Sequence, residues 1–407
     1  MRRLKRTLVL LLAGVLCIVL AFVLRRHAPL PYVWAFPVFG MGCLALCLMV
    51  PGSIAQYAGI GLLSLALALG GGEAFLYFKR QSEQQAEAPA RLGEADENVS
   101  TGNKENYRRY TENGRSARPT VPNEVTGYSP TPSSAIRAVT VANGNLVYDV
   151  VYTANERGWR ITPQHPQATE AVVFFGCSYT FGDAVNDDET YPWQVAELLG
   201  EGYQVFNFGF SGYGAHQFLA LLEAGVLEDI TSQYGRTHVF FFTIPMHEYR
   251  AAGYDCWLAG APWYEVVDNR PVRQGVLADK SGGFRLRLDK YFAKSEVYRS
   301  LFMSAHTAWD EPRSRALQEA IFKEGASICW KLPNTDFSII LWPGAEYNEA
   351  FLHAEAIPTL KLAGAFPADY VENKSSYIVV GDGHPNGHTN SFVAARIADY
   401  IRALSKR

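Results

Sequence analysis

Ser178 and Cys177 stand side by side in "VVFFGCSYTFGDAV", residues 172–185, directly after a run of apolar residues. Two side chains able to act as nucleophiles at one strand end pose a choice. A serine hydroxyl attacks a carbonyl only with a base at hand, and a histidine near its ordinary pKa is the usual one. A thiol attacks as its thiolate, and its unperturbed pKa is about 8.5. Adjacent side chains on an extended segment point to opposite sides. If Ser178 faces a cleft, Cys177 faces inward and serves packing. The base arrives near the carboxyl end, where "VVGDGHPNGHTN", residues 379–390, puts Asp382 and His384 two apart. An aspartate there holds the imidazole in the tautomer that a base needs. His388 is a rival base, placed by the helical pattern at the start of the last helix.

Two further stretches end in residues suited to the same chemistry. "VFNFGFSGYGAHQ", residues 205–217, crowds Gly209, Gly212 and Gly214 at a strand end, where backbone N–H groups can approach a substrate oxygen. "TIPMHEYR", residues 243–250, follows another strand and carries His247 and Arg250.

"FGCSYTFGDAV", "NFGFSGYGAHQ" and "GDGHPNGHTN" resemble, in order, the first, second and fifth blocks of the SGNH hydrolases, also called the GDSL family. The resemblance covers roughly residues 125–407. It implies a flavodoxin-like three-layer α/β/α fold, a serine nucleophile activated by histidine, and an oxyanion hole of backbone and side-chain donors. Carried over by position, Ser178, Asp382 and His384 are the catalytic residues. Ser178 and Gly212 give the oxyanion donors, with Gly209 the fallback for the glycine. The sequence departs from the family in three places. Cys177 stands where the first block usually has aspartate. The third block has no asparagine, and His247 takes its place as the expected third donor. One residue, Gly383, separates Asp382 from His384 where the family more often has two. Arg250 is expected either to hold a carboxylate or to pair with Glu248.

The elements that must position these residues follow from hydropathy patterning. "EAVVFF", "YQVFNF", "THVFFFTI" and "DFSIILW" are continuous apolar runs that alternate with helical patterns at 190–200, 215–230, 312–332 and 389–407. That alternation predicts a parallel sheet covered on both faces. Asn143-Gly144-Asn145 lies between two β-rich runs and signals a hairpin. The stretch 253–290, rich in aromatics, reads as an insertion near the ligand-binding ends of the strands, with rings able to stack on sugars.

The 407 residues carry a net charge of −3, and no long basic run points to nucleic acid. Six cysteines are too few for a disulfide scaffold, although Cys256 and Cys329 are a possible pair. Apolar stretches, uncharged over 7–24, 33–50 and 54–72, predict three transmembrane helices, at about 7–24, 33–50 and 54–77. "MRRLKR" before the first places that flank in the cytoplasm. Three crossings then put the rest outside, on the periplasmic or exterior face of the cytoplasmic membrane. Residues 81–124 read as a flexible polar linker and 125–407 as the catalytic domain.

The reading is a membrane-anchored serine esterase or O-acyltransferase, acting through an acyl-serine on ester-linked acyl groups of an envelope glycan, acetyl foremost. A non-catalytic glycan-binding or assembly protein on the same fold, and a lipase or phospholipase, stand as alternatives. No metal cluster and no phosphate loop appears, so no cofactor is expected.

Overall fold

The structure, a computed structural model, describes Phe75 and residues 107–110, 120–142, 145–253, 260–280, 311–370 and 372–405. The chain divides into two units, Met1–Ala90 with Arg287–Ala308 and Arg91–Leu286 with Trp309–Arg407. All described residues but Phe75 belong to the second. The three expected spans lie outside the described residues, Phe75 excepted, and no helix among the described residues is long and apolar enough to cross a membrane.

The second unit opens with antiparallel strands: β1 (Tyr107–Tyr110), β2 (Thr120–Asn123), β3 (Gly127–Pro130), β4 (Ser134–Ala142) and β5 (Asn145–Ala154). β4 and β5 form the hairpin expected around residue 144, and β1 pairs along the outer edge of β4. β2 pairs with β3. β1 and β2 both fall within the stretch read as a flexible linker.

Then strands and helices alternate. β6 (Glu170–Phe175) leads to α1 (Ser178–Phe181) and α2 (Tyr191–Leu199), and β7 (Tyr203–Asn207) to α3 (Ala215–Glu223) and α4 (Glu228–Thr231). β8 (Arg236–Thr243) leads to α5 (Met246–Ala251). A hairpin of β9 (Pro262–Val267) and β10 (Arg270–Val276) precedes α6 (Leu277–Lys280) and α7 (Glu311–Lys331). β11 (Thr335–Leu341), α8 (Glu349–Ala354), β12 (Thr359–Lys361) and α9 (Gly387–Leu404) complete the unit. The helix expected over 215–230 is split, because Gly225 adopts a left-handed φ of 77°.

β7, β6, β8, β11 and β12 lie side by side in one parallel sheet, in the order β12-β11-β8-β6-β7. The expected doubly wound α/β arrangement is what the chain forms. Alternation along each strand feeds two cores. Val172, Phe174, Phe240 and Phe242 face α2 and α9, while Ala171, Val173, Phe175 and Phe241 face α3 and α7. Both faces are apolar, so the strands read as unbroken hydrophobic runs. Ala138, Tyr148 and Val150 of the β4–β5 hairpin pack with Ala184 and against Val379, one residue from each of the two loops that carry the candidate chemistry.

Candidate active site

The turn after β6 is built for close approach. Gly176 admits no side chain, since a Cβ there would collide with Thr180 and press on Phe242. Cys177 caps α1, and Ser178 is its first residue. The Thr180 and Phe181 N–H groups donate to the Cys177 carbonyl, and those of Gly182 and Asp183 donate to the Ser178 carbonyl. The turn is thus closed by later amides, which leaves the Ser178 N–H outside its bonding. Gly182 ends α1 at a left-handed φ of 85°. Tyr191 OH donates to Thr180 Oγ1 (2.9 Å) and Asn207 Nδ2 to the Thr180 carbonyl (2.8 Å), which fixes the turn from both neighbouring loops.

Cys177 is wholly buried with Val172 and Phe174, but Ser178 is itself only 5% exposed, because it begins a helix instead of continuing an extended segment and the expected alternation ends at Cys177. Burial pushes its thiol pKa up, against the opposing pull of Arg250.

Asp382 and His384 meet as the fifth-block reading requires, with His384 Nδ1 bonded to Asp382 Oδ1. Single-residue spacing suffices because the loop is wound tightly. Gly381 and Gly383 both adopt left-handed φ, 88° and 93°. The Val379 carbonyl accepts from the Asp382 and Gly383 N–H groups, and the Val379 N–H returns to the His384 carbonyl. Asp382's side chain is 3% exposed, while that of His384 is 20% exposed, so the carboxylate is enclosed and the imidazole reaches outward. The Tyr179 ring stands edge-on to the His384 ring at 5.5 Å, which brings the pair over the Ser178 turn. Ser178 and His384 share no hydrogen bond here; catalytic contacts of this kind often close only with substrate bound. His388 is exposed at the start of α9, stacked on Tyr377 at 5.6 Å.

The second loop distinguishes its glycines. The Gly209 N–H is committed to Asn207 Oδ1 (3.1 Å), and a Cβ there would press on Thr180 and the Phe181 amide. Gly209 is therefore a packing glycine. Gly212 adopts a left-handed φ of 79°. Its neighbour Ser211 donates to the Asp183 carboxylate at 2.7 Å, tying this loop to the one that follows Ser178.

His247 sits on α5, fully buried beside Phe241 at 5.3 Å. Neither of its ring nitrogens, nor either of His216's, has a hydrogen-bond partner among the described residues. Burial holds both imidazoles well below the usual range, His216 at about 3, with Arg250 adding to the effect. Both are neutral. Glu248 faces Arg315 at 3.7 Å and lies beside Tyr347.

Arg160 is the residue that motif reading missed. Its side chain is 0% exposed. Nε donates to Asp187 (2.8 Å), Nη1 to the Phe181 (2.8 Å) and Gly182 carbonyls, and Nη2 to the Val185 (2.7 Å) and Val151 (3.3 Å) carbonyls. The Tyr152 and Phe181 rings lie 4.6 and 4.8 Å from its guanidinium carbon. One cation thus gathers the whole loop after the nucleophile. The same loop holds Ala184 at a left-handed φ of 67°, its N–H donating to Tyr152 OH (2.8 Å). "ERGWRITP" contains no motif, and the only signal was an arginine between apolar neighbours.

Cys256 of the insertion lies outside the described residues, and Cys329, on α7, is a free, buried thiol. Tyr264 is a core residue whose hydroxyl donates to Glu223 (2.5 Å), so it is no sugar platform. No group of three or more His, Cys, Asp or Glu among the described residues is placed to hold a metal.

No family model and no curated protein matches the chain. Solved structures similar to it include a lipolytic protein of the G-D-S-L family from Desulfitobacterium hafniense, 13% identical, covering 56% of this chain and 98% of that one at a TM-score of 0.32. Est24, a carbohydrate acetylesterase from Sinorhizobium meliloti, is 13% identical over 58% of this chain and 99% of its own, TM-score 0.32. A catalytic mutant of Axe2, an acetylxylan esterase from Geobacillus stearothermophilus, is 15% identical over 58% and 96%, TM-score 0.31. Likeness at this level says nothing of this chain's substrate.

Proposed function

We propose that the chain is a serine ester hydrolase or O-acyltransferase working through an acyl-serine on Ser178. The observation that carries this is the Asp382–His384 bond beside the Ser178 turn, with Tyr179 joining the two. Ser178 Oγ attacks the ester carbonyl and passes its proton to His384 Nε2, while Asp382 steadies the imidazolium. The oxyanion is held by the Ser178 and Gly212 N–H groups, with His247 the side-chain donor from the third loop. Collapse expels the alcohol, protonated by His384. Water then gives hydrolysis, and a sugar hydroxyl gives transfer.

The substrate class is acyl, acetyl foremost, on an envelope glycan outside the cytoplasmic membrane, with the chain anchored by its apolar amino-terminal segments. Tyr179 and Phe366, both half-buried, pack edge-to-face on the buried Trp342 at 5.1 and 5.3 Å and firm the structure beside His384. A purely binding role is disfavoured by the retained Ser178, Asp382 and His384.

The test uses the full chain in detergent on aryl acetate and aryl butyrate, with and without a glycan acceptor. Ser178→Ala should lose the acyl-enzyme and turnover by a factor on the order of a million, as seen for a comparable serine. Cys177→Ala should stay active with a packing cost of about 1 kcal/mol. A serine-directed fluorophosphonate should label Ser178. Activity that survives Ser178→Ala but is lost on changing Cys177 makes the thiol the catalyst.

A further inference from the structure

We infer that Asp183 and Ser211 are positioning residues for catalysis: the bond between them sets the separation of the Ser178 and Gly212 N–H groups that hold the oxyanion. The inference rests on the acyl-serine reading above and adds two residues to it, both acting through the main chain.

The second loop turns tightly between Phe210 and Tyr213, where the Tyr213 N–H donates to the Phe210 carbonyl at 3.0 Å. Ser211 and Gly212 are the two central residues, and Gly212 has a left-handed φ of 79°. This matches a type II turn, whose third residue needs positive φ and favours glycine. The peptide between Ser211 and Gly212 carries the N–H assigned to the oxyanion. A trans peptide points its N–H opposite to its carbonyl. The Ser211 carbonyl accepts from Tyr128 OH of β3 at 2.9 Å, so the Gly212 N–H is aimed away from that hydroxyl. Direction is thereby set by Tyr128.

Separation is set by Asp183. Its main-chain N–H donates to the Ser178 carbonyl at 2.9 Å. Its two carboxylate oxygens each lie 2.7 Å from Ser211 Oγ. One residue thus joins Ser178 to the residue before Gly212. Asp183 and Ser211 are both buried. A hydroxyl donating to a carboxylate makes a bond about twice as strong as a neutral pair, and a buried partner left alone is costly, so the contact stays closed. A main-chain tie between the same two loops, from the Phe210 N–H to the Gly176 carbonyl, is 3.4 Å and correspondingly weak. Oxyanion donors act only within about 2.7–3.1 Å of the developing charge. A small drift of the second loop would therefore take the Gly212 N–H out of range while leaving Ser178 and His384 in place.

The experiment measures kcat and KM of the full chain on an aryl acetate and on its thiono counterpart, in which sulfur replaces the carbonyl oxygen, with active sites counted by fluorophosphonate labelling. Sulfur accepts hydrogen bonds weakly, so the thiono ester draws little from the donors in any variant. Ser211→Ala and Asp183→Ala should each lower kcat on the acetate by about 10- to 100-fold with KM nearly unchanged, and should slow the thiono ester less. The double variant should lose no more than the worse single one, because both changes remove the same bond. Asp183→Asn keeps a carbonyl oxygen that accepts from Ser211 and should recover part of the loss. If Asp183→Ala does not fold, Ser211→Ala on the two esters decides alone. Equal losses on acetate and thiono ester mark a structural defect and overturn the inference. So do losses that multiply in the double variant, or wild-type kcat in a folded Ser211→Ala chain. Turnover that survives Ser178→Ala sinks the acyl-serine reading itself. Loss in Ser178→Ala with normal activity in Ser211→Ala sinks the positioning role alone.

Discussion

Replacing Arg160 with methionine removes the cation that gathers the loop after the nucleophile. Methionine keeps much of the volume between the Tyr152 and Phe181 rings but none of the donors. Five acceptors lose a partner: the carbonyls of Val151, Phe181, Gly182 and Val185, and the Asp187 carboxylate. Asp187 keeps one contact, from the Thr153 N–H at 3.1 Å, and its side chain is 16% exposed, so water offsets part of its loss. Breaking one side of a buried ion pair costs about 3–5 kcal/mol. Each orphaned carbonyl adds up to ~1–3 kcal/mol unless the loop relaxes to reach water. Relaxation is open to this loop, so the net loss should be about 4 kcal/mol, taken from the ion-pair range. A domain of this size loses about 2–4 °C per kcal/mol, which gives a fall of about 8–16 °C in melting midpoint. The same relaxation frees Gly182 and hence the turn that aims Ser178. Displacing a reacting group by about 1 Å costs up to 100-fold, so kcat should fall with KM little changed. Thermal unfolding by circular dichroism and steady-state kinetics read the two effects, and Arg160→Lys should recover only part of each. A midpoint within about 2 °C of the parent, with kcat unchanged, refutes the account of this loop.

Two further outcomes follow from the site. His384→Ala should abolish turnover while His388→Ala keeps most of it, and Asp382→Asn should lower kcat by a factor on the order of 10⁴ with the fold intact; the reverse pattern between the two histidines would move the base to α9. Stability should fall on mild acidification because His216 and His247 are held neutral by burial, His216 at about 3. Above about pH 6.5 neither state binds the protons, and below it only the unfolded chain does, so each histidine costs about 1.4 kcal/mol per pH unit. Urea midpoints between about pH 6.5 and 5 should show this slope, and His216→Gln should roughly halve it. An unchanged slope in that variant would show that His216 is charged in the folded state.

The sheet was legible because its strands are buried on both faces, which leaves an unbroken apolar run in each. β12 was not, since three residues, Thr359–Lys361, carry too little pattern to stand out. β1 was hidden for a different reason: "YRRY" alternates nothing apolar and takes its place by pairing with β4. At the site, Ser178, Asp382 and His384 could be read because each lies in a contiguous, glycine-marked stretch. The short Asp–His spacing looked unfavourable in sequence; left-handed Gly381 and Gly383 close the loop enough to make the bond. Arg160 could not be read, because its role depends on acceptors from β5 and from residues 181–187, which only the folded chain brings together.

Cys177 and His247, the residues that differ from the blocks the sequence resembles, share one physical trait: burial keeps both uncharged. Aspartate at 177 would place a carboxylate among the buried apolar side chains of Val172 and Phe174, where a charge is costly. Cysteine fills the same position with a group that burial keeps uncharged. His247 lies with Arg250 on one turn of α5, its imidazole kept neutral by burial. Burial thus holds the thiol and the imidazoles of His216 and His247 in their uncharged forms. The same burial carries a cost outside catalysis, since imidazoles kept neutral beside a cation are what makes the fold lose stability as the pH falls.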